Sequence, residues 1–413
     1  MEVKAGYKQT EIGLIPEDWD VKSLDTISFV TSGKRLPLGK SLVDSETPHP
    51  YIRVTDMRMG TVSMSDLKFV PDDVFPAIKR YRIYKDDIFI SVAGTLGIVG
   101  KIPLELDGAN LTENADRITN ITCSRDYLLH FLMSPVIQNT IEAIQTVGAQ
   151  PKLALTRIRK FDIPVPPTLA EQEAIAEALS DADALIEALE QLLTKKRQVK
   201  QGAMQELLTG KRRLPGFSGE WEVKTIGEIG NKFLNGGTPS TKKVEYWEGT
   251  IPWITGADIV DQKVVDLVRR FITDEAVKNS STNVVEKGNL LVVTRTGVGK
   301  IAIAPYDLAI SQDLTGIYVK KEYVLPEFLY WYFSYDTSSL RNLNQGTSIA
   351  GITRDTLTSL SVLLPSIPEQ TAIAEILSDM DAEIAALEGK LPKARQVKAG
   401  MMSELLTGKI RLV

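Results

Sequence analysis

The feature that most constrains this chain is a helix written twice. The segment EQEAIAEALSDADALIEALEQ begins at Glu171, and EQTAIAEILSDMDAEIAALEG begins at Glu369. Residues 171–214 align without gaps on 369–412, with about 31 of 44 positions identical. The two copies end on ELLTGKRRL (206–214) and ELLTGKIRL (404–412). Apolar residues of the first copy fall at Ile175, Leu179, Ala182, Ile186, Leu189 and Leu193. Those of the second fall at Ile373, Leu377, Met380, Ile384, Leu387 and Leu391. Spacings of four and three in alternation are the mark of a coiled-coil seam. Either seam alone leaves an apolar stripe in water, so we expect the two helices to pair rather than to pack only on separate globular units. About 40 helical residues span about 60 Å. Pro167 and Pro365 mark the starts, and Gly210 and Gly408 the stops. Pro392 stands where the first copy has Thr194, which predicts a kink or break in the second helix.

A weaker echo precedes each helix. PEDWDVKSL (16–24) is followed by SGEWEVKTI (218–226), PYIRVTDM (50–57) by PWITGADI (252–259), and KDDIFISVAGTLG (85–97) by KGNLLVVTRTGVG (287–299). The stretches 148–167 and 346–365 also align. The helices stay alike, while the units before them share spacing and apolar pattern but little surface chemistry. That pattern predicts two related modules that recognise two different things. Short β-like runs such as DIFISV (87–92) and NLLVVT (289–294) alternate with Gly- and Pro-marked turns and with helical stretches at 126–144 and 326–343. The expected fold is α+β. Two α/β domains, at 1–167 and 213–365, are separated by long helices at 168–212 and 366–413. The helices form an antiparallel coiled coil within a pseudo-two-fold duplication.

Composition narrows the chemistry. A single cysteine, Cys123, rules out an internal disulfide, and His49 and His130 are the only histidines. A Cys/His zinc site is therefore close to excluded, and neither histidine sits in a nucleophile motif. The Gly-Lys endings in VAGTLGIVGKI (92–102) and TRTGVGKI (294–301) lack the spacing of a phosphate-binding loop. They continue into Ile102 and Ile301 instead of the hydroxyl that holds magnesium. Asp20–Lys22 and Glu222–Lys224 read better as exposed strand charges than as nuclease triplets. No metal and no cofactor are expected on this chain. It has no apolar run of membrane-spanning length and no signal-peptide core at its start, so a cytoplasmic location is expected. The formal charge is −5, and residues 1–170 carry 20 basic and 21 acidic side chains. Any nucleic-acid contact must therefore be local or shared with a partner.

Three loop types recur: TSGKRLPLGKS (31–41) with NGGTPSTKK (235–243), RVTDM (53–57) with TGADI (255–259), and the two glycine turns at 92–102 and 294–301. Backbone N–H groups, hydroxyls, lysines and arginines are what phosphates and base edges require.

Taken in order and in duplicate, EIGLIPEDWDV (11–21), GGTPSTKKVEYWEGTIPWITGADI (236–259), the paired EQxAIAExLSDxDAxI segments and the paired ELLTGKxRL endings resemble the specificity (S) subunit of type I restriction–modification enzymes. The resemblance spans essentially the whole chain. It implies two target recognition domains that read the halves of a split sequence in double-stranded DNA. It implies helices that dock two methyltransferase (M) subunits, with restriction (R) subunits joining them. S-adenosylmethionine, ATP and magnesium would belong to those partners, and this chain would be non-catalytic. The candidate DNA contacts are Lys34, Arg35, Arg53, Thr55, Thr95, Lys152 and Arg157 in the first domain. In the second they are Thr238, Ser240, Thr241, Lys242, Lys243, Thr255, Arg295, Thr296, Ser348 and Arg354. Arginines suit guanine edges; lysines and hydroxyls suit phosphates. The first domain departs from the family loop, with SGKRLPLGKS in place of GGTPSTKK. The alternatives are a coiled-coil adaptor for two protein partners, and a self-sufficient nuclease. If the helices act as a ruler, four residues inserted near Ala184 add about 6 Å of helix. Methylation mapping should then show a DNA spacer longer by about one or two base pairs with both half-sites unchanged.

Overall fold

The computed structural model describes residues 5–144, 152–260, 263–265, 268–342 and 351–412. The chain divides into two compact units, Met1–Leu189 with Lys390–Val413, and Glu190–Gly389. The division cuts through both long helices, so each unit holds the first half of one helix and the second half of the other.

The duplication extends to the strand pairing. The first unit has a four-stranded antiparallel sheet in the order Val99–Lys101, Ile88–Ser91, Ala115–Thr119, Phe29–Ser32. The second unit repeats it as Ile301–Ile303, Leu290–Val293, Leu314–Val319, Gly230–Asn235. A second sheet runs Lys68–Phe69, Pro50–Ile52, Ala109–Leu111, Arg82–Ile83, with the middle pair parallel. Its counterpart runs Arg270–Ile272, Ile251–Ile254, Leu308–Ile310, Asn283–Val285, again with the middle pair parallel. A ribbon of Asp20–Ser23 with Asp162–Val165 matches Glu222–Thr225 with Ser361–Leu364. Every residue of Ile88–Ser91 and Leu290–Val293 is buried, as expected for apolar runs covered on both faces. The charged triplets lie on the ribbons as ion pairs, Lys22–Asp20 at 3.7 Å and Lys224–Glu222 at 2.9 Å. The helical stretch at 126–144 is two helices, Arg125–Leu132 and Pro135–Ile144, because Pro135 cannot continue the first.

The long helices run Leu169–Leu207 and Ile367–Leu405. The break expected at Pro392 is absent: the second helix passes through it without interruption. Proline forfeits one backbone hydrogen bond, at about 3 kcal/mol, and tertiary contacts on both sides of it override the local penalty. Within each unit the helix halves are antiparallel. In the first unit Lys398 pairs with Asp183. In the second Lys200 pairs with Asp381, Lys196 with Glu383 at 2.6 Å and Arg197 with Glu388 at 2.5 Å. All twelve seam residues are buried or half-buried, with Ile175, Leu179, Ile373 and Leu377 essentially dry. The opening turns also pack on their own unit: Ile175 and Leu179 share a core with Trp19, Tyr127, Leu405 and Leu406, and Ile373 and Leu377 with Phe328, Trp331, Leu207 and Leu208.

Each helix tail closes on the start of the other helix. Past the first helix the chain turns at Gly210 (φ 69°), and past the second at Gly408 (φ 68°). A Cβ at Gly408 would lie 2.5 Å from Pro16. The turn delivers Arg411 to Glu171, whose side chain is 1% exposed, with Arg411 Nη2 2.8 Å from Oε2. Arg411 also forks onto Asp18 at 3.1 Å and lies over the Trp19 ring. The equivalent Arg213 binds Glu369 through two 2.6 Å bonds and lies over Trp221. The neighbouring glutamines complete the clasp. Gln172 accepts from Ser124 N and donates to the Pro166 carbonyl, and Gln370 accepts from Leu325 N and donates to the Tyr323 and Pro365 carbonyls. Removing one partner of a buried ion pair strands the other charge, at roughly 3 kcal/mol. Urea unfolding of Arg411→Ala should show a loss of about that size, with Arg411→Lys recovering part of it because an ammonium cannot fork.

Ser180 and Ser378 occupy matching places on the helices, but the residues packed on them differ. Ser378 accepts from Trp331 Nε1 at 3.3 Å and from Lys263 at 3.0 Å. Ser180 lies 3.0 Å from Nε2 of buried His130, whose Nδ1 is 4.0 Å from Asp183. Burial pushes the imidazole down to about 4, against a partial pull upward from Asp183. An unfolded histidine takes its proton near 6.5, so between about pH 6.5 and 4 the unfolded chain binds the extra proton. Stability attached to this group is then full above that window and falls as pH drops through it. His130→Gln should flatten the acid limb of the unfolding free energy, taken from urea titrations across pH, by on the order of 3 kcal/mol. An unaltered acid limb would show that His130 is not its source.

Candidate nucleic-acid interface

The recurring loops converge at one end of the sheets in each unit. In the first, Gly33 sits against the Thr112 carbonyl so closely that a Cβ would lie 2.1 Å from it. Gly236 meets the Ser311 carbonyl in the same way, at 2.0 Å. Only glycine lets the loop cross there. Two residues on, Arg35 donates through Nε to Glu113 at 2.7 Å, and the corresponding Thr238 donates to Gln312. The glycine turns follow the strands Ile88–Ser91 and Leu290–Val293. Val92 donates its N–H to Asn114 O and Thr294 to Asp313 O. The stretch before the short helices Leu155–Ile158 and Arg354–Thr358 then binds back, Leu153 N to Val92 O at 2.9 Å and Ile352 N to Thr294 O at 2.7 Å.

This geometry gathers Lys34, Arg35, Thr95 and Lys152, all exposed, on the first rim. Arg157 is exposed on the adjoining short helix. On the second rim Arg295 and Arg354 line one pocket with Asn235, Gln312 and Thr353. Thr296 donates to Asp313 at 3.3 Å beside them. Ser240, Thr241, Lys242 and Lys243 form the exposed far part of the first loop. Two tryptophans fasten that loop: Trp247 Nε1 donates to Ser240 O and Trp253 Nε1 to Gly237 O. Lys243 leans on Tyr246, 2.9 Å from its hydroxyl. Ser348 lies outside the described residues.

The middle loops hold their candidates differently. Arg53 and Thr255 are equivalent N-caps of short 3-10 turns, and both bind an aspartate three residues on. Arg53 reaches Asp56 through its backbone N–H, Nε and Nη2, and Asp66 through Nη2. Those bonds, first of all the one to Asp56, hold its guanidinium charged and tie it to the two aspartates. Thr255 binds Asp258 through N and Oγ1, each at 2.8 Å. Thr55 is exposed on the Arg53 turn. Sequence reading missed the acceptors that fix the rims, Glu113, Gln312 and Asp313. They lie in the connection between Ala109–Leu111 and Ala115–Thr119 and its counterpart, and the antiparallel pairing of Phe29–Ser32 with Ala115–Thr119, and of Gly230–Asn235 with Leu314–Val319, makes them neighbours of that loop.

Two units of one topology with unlike rims match a known family profile twice. The profile describes the type I restriction modification DNA specificity domain, and it covers residues 16–201 and 218–394. The chain belongs to this family. It is 28% identical to a putative type I restriction enzyme MjaX specificity subunit from Methanocaldococcus jannaschii, over 98% of this chain and 97% of that one. It is 32% identical to the EcoR124I/EcoR124II specificity subunit of Escherichia coli, over 58% and 60%. The fold matches the crystal structure of a type I restriction–modification S subunit from M. genitalium with a TM-score of 0.60 at 16% identity, covering 98% of both chains. The chain is thus a DNA sequence-specificity subunit of a type I restriction–modification system. Among the described residues no helix is long and apolar enough to cross a membrane.

Proposed function

We propose that each unit reads one half of a split DNA target through its loop rim, and that the helices carry two methyltransferase subunits, with restriction subunits joining that core. The chain selects the sequence, and chemistry belongs to the partners: adenine methylation with S-adenosylmethionine, and magnesium- and ATP-dependent cutting. The observation that carries this reading is the repeated specificity domain over one strand topology with unlike rim side chains. Arg35 faces Glu113 where Thr238 faces Gln312, and Ala93 stands where the second unit has Arg295. One frame with two lining chemistries suits two unlike half-sites. A guanidinium reads a guanine edge bidentately, and each such contact discriminates by about 1–3 kcal/mol.

Co-expression with the cognate methyltransferase subunit, followed by mapping of methylated adenines, tests this. A split motif is expected, and Arg295→Gln with Arg354→Gln should relax one half-site while leaving the other and the spacer intact. A stable complex that methylates no split motif would reject the reading in favour of an adaptor.

A further inference from the structure

The first unit holds a basic cleft whose three arginines lie outside the recurring loop motifs. Arg80 and Arg82 flank Tyr81 at the edge strand of the second sheet, and Arg117 comes from a middle strand of the first. With Thr31 and Ser32 they line one cleft, and Gly33 joins it to the Lys34–Arg35 loop. Each guanidinium is anchored on protein oxygen. Arg80 Nη2 donates to the Tyr81 hydroxyl at 2.7 Å, Arg82 Nε to Gly108 O at 2.8 Å, and Arg117 Nη1 to Arg82 O. A guanidinium carries five N–H donors in a fixed fork, so anchoring at one leaves others aimed and ordered. Among the described residues, none that lines the cleft is acidic. Asp116, the strand neighbour of Arg117, is buried on the other face and takes a 2.7 Å bond from Ser32, and Asp87 lies 3.9 Å from Arg117. Glu113 is taken by Arg35.

Among the described residues, one buried donor here has no hydrogen-bond partner, Arg117 Nε. A buried donor left unmade is expensive, and such sites commonly complete their bonding with a ligand. The second unit carries no arginine at the positions matching Arg82 and Arg117. The register places Gly316 opposite Leu291 where Arg117 stands opposite Phe89, and Val284 opposite Ala309 where Arg82 stands opposite Asn110. The second unit instead gathers arginines at 295 and 354, on its rim.

We propose that this cleft seats a phosphodiester group of the DNA backbone beside the first half-site, positioning the duplex under the Lys34–Arg35 loop. The inference rests on the DNA-reading function and adds a contact that carries no sequence information.

The test uses the full chain assembled with its methyltransferase subunits. Arg80→Gln, Arg82→Gln and the double variant are titrated with duplex containing the mapped target over a range of salt concentrations. Neutralising one phosphate contact lowers the log–log salt slope by about 0.9, which at 0.1 M salt weakens binding about tenfold. The double variant should show both effects with the methylated motif unchanged. Arg80 is exposed, so Arg80→Gln alone carries the test if the Arg82 change impairs folding. Unchanged affinity and slope in a variant with wild-type thermal unfolding overturns the proposal. Relaxed specificity at the first half-site overturns it in favour of base reading. Thermal stabilisation by inorganic phosphate that the variants lose, with DNA binding intact, overturns it in favour of a free-anion site. A wild-type complex that methylates no split motif removes the DNA-reading function itself, and that result appears before any variant is made.

Discussion

A guanidinium meeting a buried carboxylate holds each unit together. Glu171 and Glu369 open the two helices at 1% and 0% exposure, and a charge so placed is tolerated only with its partner fixed. Arg411 and Arg213 supply that partner. Each rests on the tryptophan of a short ribbon, so helix start, helix tail and ribbon lock at one point. The seam then has its register set at that point, and the lysine–aspartate pairs further along follow from it. A buried pair of this kind acts more to specify an arrangement than to add stability, since an apolar contact of equal volume would hold as well but would not select its partner.

The frame was legible in the sequence because its causes are local. Repeated four–three spacing, proline before the helix and glycine after it each act within a turn or two, and duplication doubled every signal. The rims were partly legible. The loops that hold Gly33 and Gly236 were singled out, but not the close crossing that requires glycine there, and Arg295 and Arg354 were separate candidates that the fold brings to one pocket. Arg53 shows where local reading fails. It looked like a guanidinium presented by a loop, yet Asp56 three residues on makes it a cap, and the spacing R-V-T-D held that signal. Pro392 departs in the opposite direction: of the kink or break that the local rule predicts, no break occurs, because the helix is held by contacts on both sides. The arginines at 80, 82 and 117 had no linear signature at all, because strand order alone brings them together.

The balanced charge takes on a clearer meaning once the rims are seen. Arg35 carries its own counter-charge in Glu113, and Arg53 carries two in Asp56 and Asp66. Pairing of this kind orders long side chains and keeps them soluble without a standing positive field. Such a surface attracts DNA weakly at long range, and it leaves discrimination to close fit.

The clasp also orders events in time. The second unit, Glu190–Gly389, is one uninterrupted stretch, so every residue of its core exists before residues 390–413 are made. The first unit, though begun first, lacks Met402, Leu405, Leu406 and Arg411 until residues 390–413 have been made. The domain begun earliest is therefore completed after the other, and a stop before Met402 damages the part of the chain that was made first.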